Sequence, residues 1–208
     1  MLPCAVTNLI PAELLTQWQR AADTTDAHFR KALSAHRPQI QCAAGCSMCC
    51  HYQLTVRLVE ALALLQTIEK LPDAVQSALR RLPSTPDGER GCALLVDDQC
   101  VVHAGRPLVC RSYGLPVRQR DLEGAKGSTL SSDEISCCPL NFLDGTYSAE
   151  TLVDALTTTA DLAAANEIVA ARLGASTELR ISLRELARRG RDALPDDVAA
   201  ALLAVDRP

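Results

Sequence analysis

"CAAGCSMCC", Cys42 to Cys50, places four thiols in nine residues. If these thiols act together, the rest of the chain has to wrap around the point where they meet, so this stretch decides how the fold is read. In a helix or a tight loop, at 100° per residue, Cys42, Cys46 and Cys49 fall in one narrow sector. Cys50 lies roughly 80–100° away and needs a bend in the chain, or faces a second ion. The C-x2-C spacing of Cys46 and Cys49 is that of a zinc knuckle, in which a small turn aims two thiolates at a centre about 2.3 Å from each sulfur. Gly45 and Ser47 supply the turn conformations that bulkier residues would resist.

A second group of thiols follows after a gap: Cys92, Cys100, Cys110, and the adjacent pair Cys137 and Cys138. In "CALLVDDQCVVH", residues 92–103, two apolar runs flank Asp97, Asp98 and Gln99, which predicts a β-hairpin with Cys92 and Cys100 side by side at its base. Cys110 follows "RPLV", where Pro107 fixes the local chain. Adjacent residues point apart, so Cys137 and Cys138 are not expected on one ion, and Pro139 favours Cys138 by locking its backbone. Nine cysteines stand from Cys42 onward. Eight of them would make either two four-sulfur sites or one larger cluster, with one thiol spare. The candidate metal ligands are therefore Cys42, Cys46, Cys49 and Cys50 together with Cys92, Cys100, Cys110 and Cys138, the two groups meeting in space.

Arg106 and Arg111 flank Cys110. Two roles stay open for them: donating to thiolate sulfur and offsetting the charge of a four-thiolate centre, or making a surface ion pair. His51 and His103 each stand beside a cysteine motif and could replace a thiolate, although packing or exposure is the more ordinary role. His28 and His36 belong to the amino-terminal helix and are not expected as ligands. There is no Ser-His-Asp arrangement, phosphate-binding Gly loop or H-E-x-x-H helix, so the usual hydrolase and nucleotide signatures are missing. The C-x-x-C pair lacks the strand-to-helix context of a thioredoxin-like unit.

Around the thiols the pattern is mostly helical. Residues 11–36 read as an amphipathic helix with Leu14, Trp18, Ala22 and Phe29 near one face, stopped by Pro38. "HYQLTV" alternates Tyr52, Leu54 and Val56 as a short extended segment. "RLVEALALLQTIEKL" returns to helical spacing with Leu58, Leu62 and Leu65 on one stripe, and "PDAVQSALRRL" is a further short helix. "PSTPDGERG" reads as a loop, and "EGAKGSTLSSDE" as a mobile one. From Ser148 the chain is Ala-rich and helical, with Leu152, Leu156, Ala160 and Ala163 in register and Gly174 as the stop. Two helices follow, around "STELRISLRELARRG" and "PDDVAAALLAV". The predicted fold class is mainly α: a helical shell around a cysteine-rich metal-binding core with one small β-hairpin. It is read as a single domain over 1–208, with the cysteine-cluster core at 42–142 and a helical extension at 148–208.

Composition bounds the function. Of 208 residues 48% are hydrophobic and only 3% aromatic, so Leu, Ala and Val must fill one core of ordinary size. The net charge of −4 argues against a nucleic-acid partner. The basic stretch "RELARRGR", Arg184 to Arg191, reads as a solvated cationic helix end. The amino terminus has neither a basic n-region nor an apolar run suited to export, Cys4 reads as a spare thiol, and no stretch approaches the roughly 20 apolar residues that span a bilayer. No membrane association and a cytoplasmic, reducing location are expected. There, ten cysteines point to metal or redox chemistry before disulfides.

The ordered series of motifs carries a family resemblance. C42-x3-C46-x2-C49-C50-H51-Y52, then "GCALLVDDQCVVHAGRPLVCRSYGLP", then "CPLNF" from Cys138, resembles the YkgJ-like bacterial cysteine-cluster family, described as zinc- or iron-chelating domains, over roughly Cys42 to Phe142. The first pair is spaced x3 where x2 also occurs in the family, and Cys137 stands beside Cys138. The resemblance implies metal binding and names no reaction. A related cysteine block occurs in flagellin lysine N-methylases, which look like iron–sulfur proteins. Three readings therefore stand: a protein chelating a zinc or iron ion, an iron–sulfur-cluster enzyme acting on a protein substrate, and a thiol redox sensor. The metal ion is the expected partner, and any protein partner is open.

Overall fold

The computed structural model describes residues 10–84, 91–119 and 134–205. Cys4 and most of the "EGAKGSTLSSDE" segment lie outside these residues. Helix dominates, as the spacing predicts, with seven α-helices among the described residues. Three small sheets accompany them among the same described residues, where one hairpin was expected.

Helix α1 (Ala12–Ala35) buries Leu14, Leu15, Trp18, Ala21, Ala22 and Ala32. Strand β1 (Thr55–Arg57) leads into α2 (Leu58–Ile68), in which every residue from Leu58 to Leu65 is buried. The expected stripe of Leu58, Leu62 and Leu65 is thus only part of the buried surface. A helix buried on all sides sits inside the fold rather than on its rim, and α2 is the central post. Against it pack α1, the long helix α5 (Ala155–Leu173) and the short helix α6 (Leu183–Arg189). Helix α3 (Asp73–Arg80) begins after Pro72, as predicted.

The hairpin pairs β2 (Leu95–Val96) with β3 (Gln99–Cys100), Leu95 opposite Cys100 and Val96 opposite Gln99. Asp97 and Asp98 form its two-residue turn, both with positive φ (49° and 57°), which is the type I′ pattern that matches strand twist. Cys92 therefore lies beyond the ladder and does not face Cys100 across it. It is carried back by a separate turn, in which Leu95 N–H donates to the Cys92 carbonyl at 3.1 Å. Helix α4 (Leu108–Ser112), which sequence periodicity did not flag because it has only five residues, starts at Pro107 and carries Cys110.

Strand β4 (Val117–Gln119) pairs antiparallel with β5 (Glu134–Ser136) and parallel with β6 (Val153–Asp154). The polar 114–136 stretch had hidden two of these strands, since each is only three residues long. Helix α5 (Ala155–Leu173) begins later than expected, at an Asp154 cap whose side chain accepts from Leu156 N–H, and ends at Gly174 in the left-handed conformation (φ 65°). It buries Ala165, Asn166, Val169, Ala170 and Leu173, whereas Ala160 is exposed, so the buried stripe is not the one through Leu152 and Ala160. Strand β7 (Arg180–Ser182) pairs with β1 and feeds α6 (Leu183–Arg189); α7 (Asp196–Val205) is the last described helix.

The basic stretch is not the solvated helix end expected of it. Arg184 is buried and donates to the Pro83 carbonyl, Arg188 donates to the Leu82 carbonyl at 2.8 Å, and Arg191 pairs with Glu69 at 2.6 Å. These side chains staple α6 and the turn after it to the ends of α2 and α3.

Two apolar clusters result. The larger surrounds α2 and includes partly buried Cys92 and Cys100 at its edge. The smaller, built from Ala32, Ile40, Leu115, Phe142 and Val153, lies under the end of α1 and takes Cys42 and Cys137 at its edge.

Candidate metal centre

Between the two clusters opens a cavity of about 640 Å³. Its wall carries Cys42, Cys46, Cys49 and Cys50 from the first group, and Cys92, Cys100, Cys110 and Cys138 from the second. Cys137 is not on that wall. Its Sγ lies 3.8 Å from the Gly114 carbonyl, against the smaller apolar cluster. The cysteines of the described residues are all free thiols.

The first group sits on a tight loop, not a helix. Cys46 N–H donates to the Ala43 carbonyl at 3.1 Å across a turn in which Gly45 takes a φ of +85°, the left-handed value that suits glycine. A 3-10 turn over Met48–His51 follows, with Cys50 N–H donating to the Ser47 carbonyl at 2.8 Å. Within it the sulfurs of Cys49 and Cys50 stand 4.0 Å apart although the residues are adjacent. Two sulfurs bound tetrahedrally at about 2.3 Å would be about 3.8 Å apart.

Three side chains that sequence reading did not single out, Glu60 and Asn141 buried and Asp26 half-buried, hold the segments around the thiols in place. Glu60 of α2 accepts from Leu108 N–H at 3.0 Å, the first amide of α4, and so fixes the helix that presents Cys110. Burial raises its pKa against the opposing pull of these backbone donors. A lone carboxylate in the run "LVEALALL" was the available signal. Asn141, in the "CPLNF" motif, accepts from Gln41 N–H at 2.8 Å and donates to the Gly114 carbonyl at 2.6 Å and to Cys42 Sγ at 3.3 Å. It thereby ties the segment after Cys138 to Cys42. Asp26 of α1 takes both arginines of the Cys110 region: Arg106 at 3.2 Å and Arg111 at closer range. Nothing local in the sequence points to Asp26, because its partners are 80 residues away or more.

Arg111 is accordingly a buried clamp. It lies over the Trp18 ring at 5.4 Å and donates to the carbonyls of Arg106 and Ala104. This exceeds the surface ion pair that was one of its two expected roles. Arg106 reaches the cavity, hydrogen-bonds the His103 ring and leaves its Nε buried without a partner among the described residues. His103 is an exposed residue on the cavity rim, its pKa lowered by partial burial and by Arg106. His36 packs on the Phe142 ring at the end of α1.

Burial pushes the thiols of Cys42, Cys50, Cys92, Cys100, Cys110 and Cys137 upward, and neighbouring thiols add to the effect. Without a cation these groups are protonated at neutral pH, because several thiolates in one partly desolvated cavity repel one another. A divalent ion reverses that balance by binding the deprotonated form. The donor chemistry fits zinc or iron, both of which accept tetrahedral sulfur. Among the described residues no three His, Cys, Asp or Glu side chains already stand at the mutual spacing of a formed site.

No curated protein and no solved structure matches the chain. Residues 41–138 match the model of the CxxCxxCC family, described as a "putative zinc- or iron-chelating domain", and this matched segment contains all eight cavity thiols.

Proposed function

We propose that this protein is a metal chelator that holds zinc or iron through Cys42, Cys46, Cys49, Cys50, Cys92, Cys100, Cys110 and Cys138. The observation that supports this most is the lining of one cavity by eight thiols drawn from a loop, a hairpin, a short helix and a bend, while the ninth thiol turns aside. Burial of so many thiols is costly in any role that leaves them charged and uncompensated. A cation removes that cost.

The same count supports a second reading, an iron–sulfur-cluster enzyme with a protein substrate. Eight sulfurs are twice what one four-coordinate ion uses, and the cavity exceeds the needs of a single ion. Anaerobic purification followed by elemental analysis, sulfide assay and a visible spectrum separates the cases. Colourless protein with stoichiometric zinc, or iron without labile sulfide, supports simple chelation. Brown protein with labile sulfide moves the cluster reading ahead. Metal-free protein whose thiols are lost reversibly to oxidant, and which takes up neither ion on reconstitution, overturns both in favour of a redox sensor.

A further inference from the structure

Two arginines flank Cys110, and the fold gives them different duties. All three nitrogens of Arg111 are engaged: Nε donates to the Arg106 carbonyl at 2.9 Å, Nη2 donates to the Ala104 carbonyl at 2.6 Å, and Nη1 pairs with Asp26. Arg106 is anchored in the same way at its far end, where Nη2 pairs with Asp26 at 3.2 Å and Nη1 donates to the His103 ring. Its backbone is fixed as well. It takes the extended conformation (φ −60°, ψ 147°) favoured before Pro107, and its carbonyl is the one that accepts from Arg111. One donor is left over. The Arg106 Nε–H is buried and has no acceptor among the described residues, in a side chain that lines the thiol cavity.

A buried donor without a partner costs free energy, and the neutral thiols around it are weak acceptors that do little to offset the cost. A metal-bound thiolate is a different acceptor, because it is charged and draws a shorter, stronger bond from a guanidinium. The charge of the wall suits such a centre: Arg30, Arg106 and Arg111 outnumber Asp26 and Asp98 among the lining residues. We propose that Arg106 is a positioning residue of the metal centre, its Nε–H donating to a metal-bound thiolate while Asp26 and His103 hold the guanidinium in place. This rests on the metal-chelating reading above and deepens it. Donation to the thiolate favours the deprotonated form that binds the ion and so raises the affinity of the site. Of the two roles open to these arginines, Arg106 takes the first, and Arg111, with no nitrogen unengaged, holds the fold.

The test is Arg106→Lys in the full chain, read by zinc competition titration, by the absorption spectrum of the cobalt-loaded protein and by urea denaturation without metal. Lysine keeps the positive charge and the reach to Asp26 but puts a methylene where Nε stands. The variant should unfold at the wild-type urea midpoint and bind zinc about 10–100-fold more weakly. Its sulfur-to-cobalt charge-transfer band should move to longer wavelength, because a thiolate that has lost a hydrogen bond gives up an electron more readily. Arg106→Met, which removes the charge as well, should weaken zinc binding at least as much and move the band the same way. Wild-type affinity with an unmoved band in Arg106→Lys overturns the proposal. Weaker binding with an unmoved band and a lower urea midpoint also overturns it, since the side chain would then act only on the fold, through Asp26. Wild type that takes up neither zinc nor cobalt overturns the chelating reading itself, a result distinct from the others.

Discussion

Replacing Asn141 by Ala tests whether a single buried amide organises the Cys42 side of the cavity. Asn141 is 3% exposed and satisfies three groups at once. Its loss leaves the Gly114 carbonyl, a buried contact at 2.6 Å, without its amide donor, at a cost of about 1–3 kcal/mol. The Gln41 N–H is only part-buried, so water offsets some of its loss and about 1 kcal/mol is the fitting figure. The bond to Cys42 Sγ at 3.3 Å adds little to the metal-free protein, since a neutral thiol is a weak acceptor. The sum is about 2–4 kcal/mol. With a urea slope of about 2–3 kcal/mol per molar for a chain of this size, the unfolding midpoint should fall by about 1 M or more. The measurement is urea denaturation of metal-free wild type and Asn141→Ala, followed by zinc titration of each. A stability loss under about 0.5 kcal/mol, the range of an ordinary surface substitution, would refute the argument. So would a loss of the expected size with zinc binding wholly unchanged, because Cys42 would then not need its tether.

The site should respond to four further perturbations. Gly114→Ala puts a Cβ 2.7 Å from Cys42 Sγ at a φ of +110°, so it should displace that thiol and weaken zinc binding more than tenfold by competition titration; wild-type affinity would contradict the placement. Glu60→Gln keeps an acceptor for Leu108 N–H and removes a buried charge, so its melting temperature should hold or rise, whereas Glu60→Ala should lose about 1–3 kcal/mol and loosen α4. In metal-free protein, burial raises the thiols of Cys42, Cys92, Cys100 and Cys110 above their usual 9.0, so the folded state holds these protons more tightly than the unfolded one. Their contribution is fully present below the unfolded thiol value and is lost as pH rises past it. Melting temperatures of metal-free protein should therefore fall above about pH 9, while zinc-loaded protein should instead lose metal and stability as pH drops and protons compete for sulfur. Finally, a strong chelator should lower the melting temperature of wild type and have much less effect on Cys46→Ser; an unchanged wild-type melt with metal confirmed removed would show that the thiols do not form a structural metal site.

The sequence by itself determined what depends on short-range pattern. Helical spacing gave α1, α3, α5 and α7 within a few residues at one end or both, because an apolar periodicity and a Pro or Gly boundary are local properties. Chemistry and spacing singled out the eight thiols that line the cavity and set aside Cys137, which does not line it, because clustered cysteines and adjacent residues that point apart are local properties. Short elements were beyond that reach. Strands of two or three residues and the five-residue α4 carry too little pattern to stand out, and they exist because distant segments complete them: β1 by β7, β4 by β6, and α4 by Glu60 and Asp26. The buried stripe of α5 was likewise decided by which neighbours it meets, α1 and α2, rather than by the most regular apolar register in its own sequence. Tertiary structure alone set Cys42 beside the Asn141 segment and Cys50 beside Cys92, because these juxtapositions cross 99 and 42 residues of chain and depend on hydrogen bonds that no local spacing encodes.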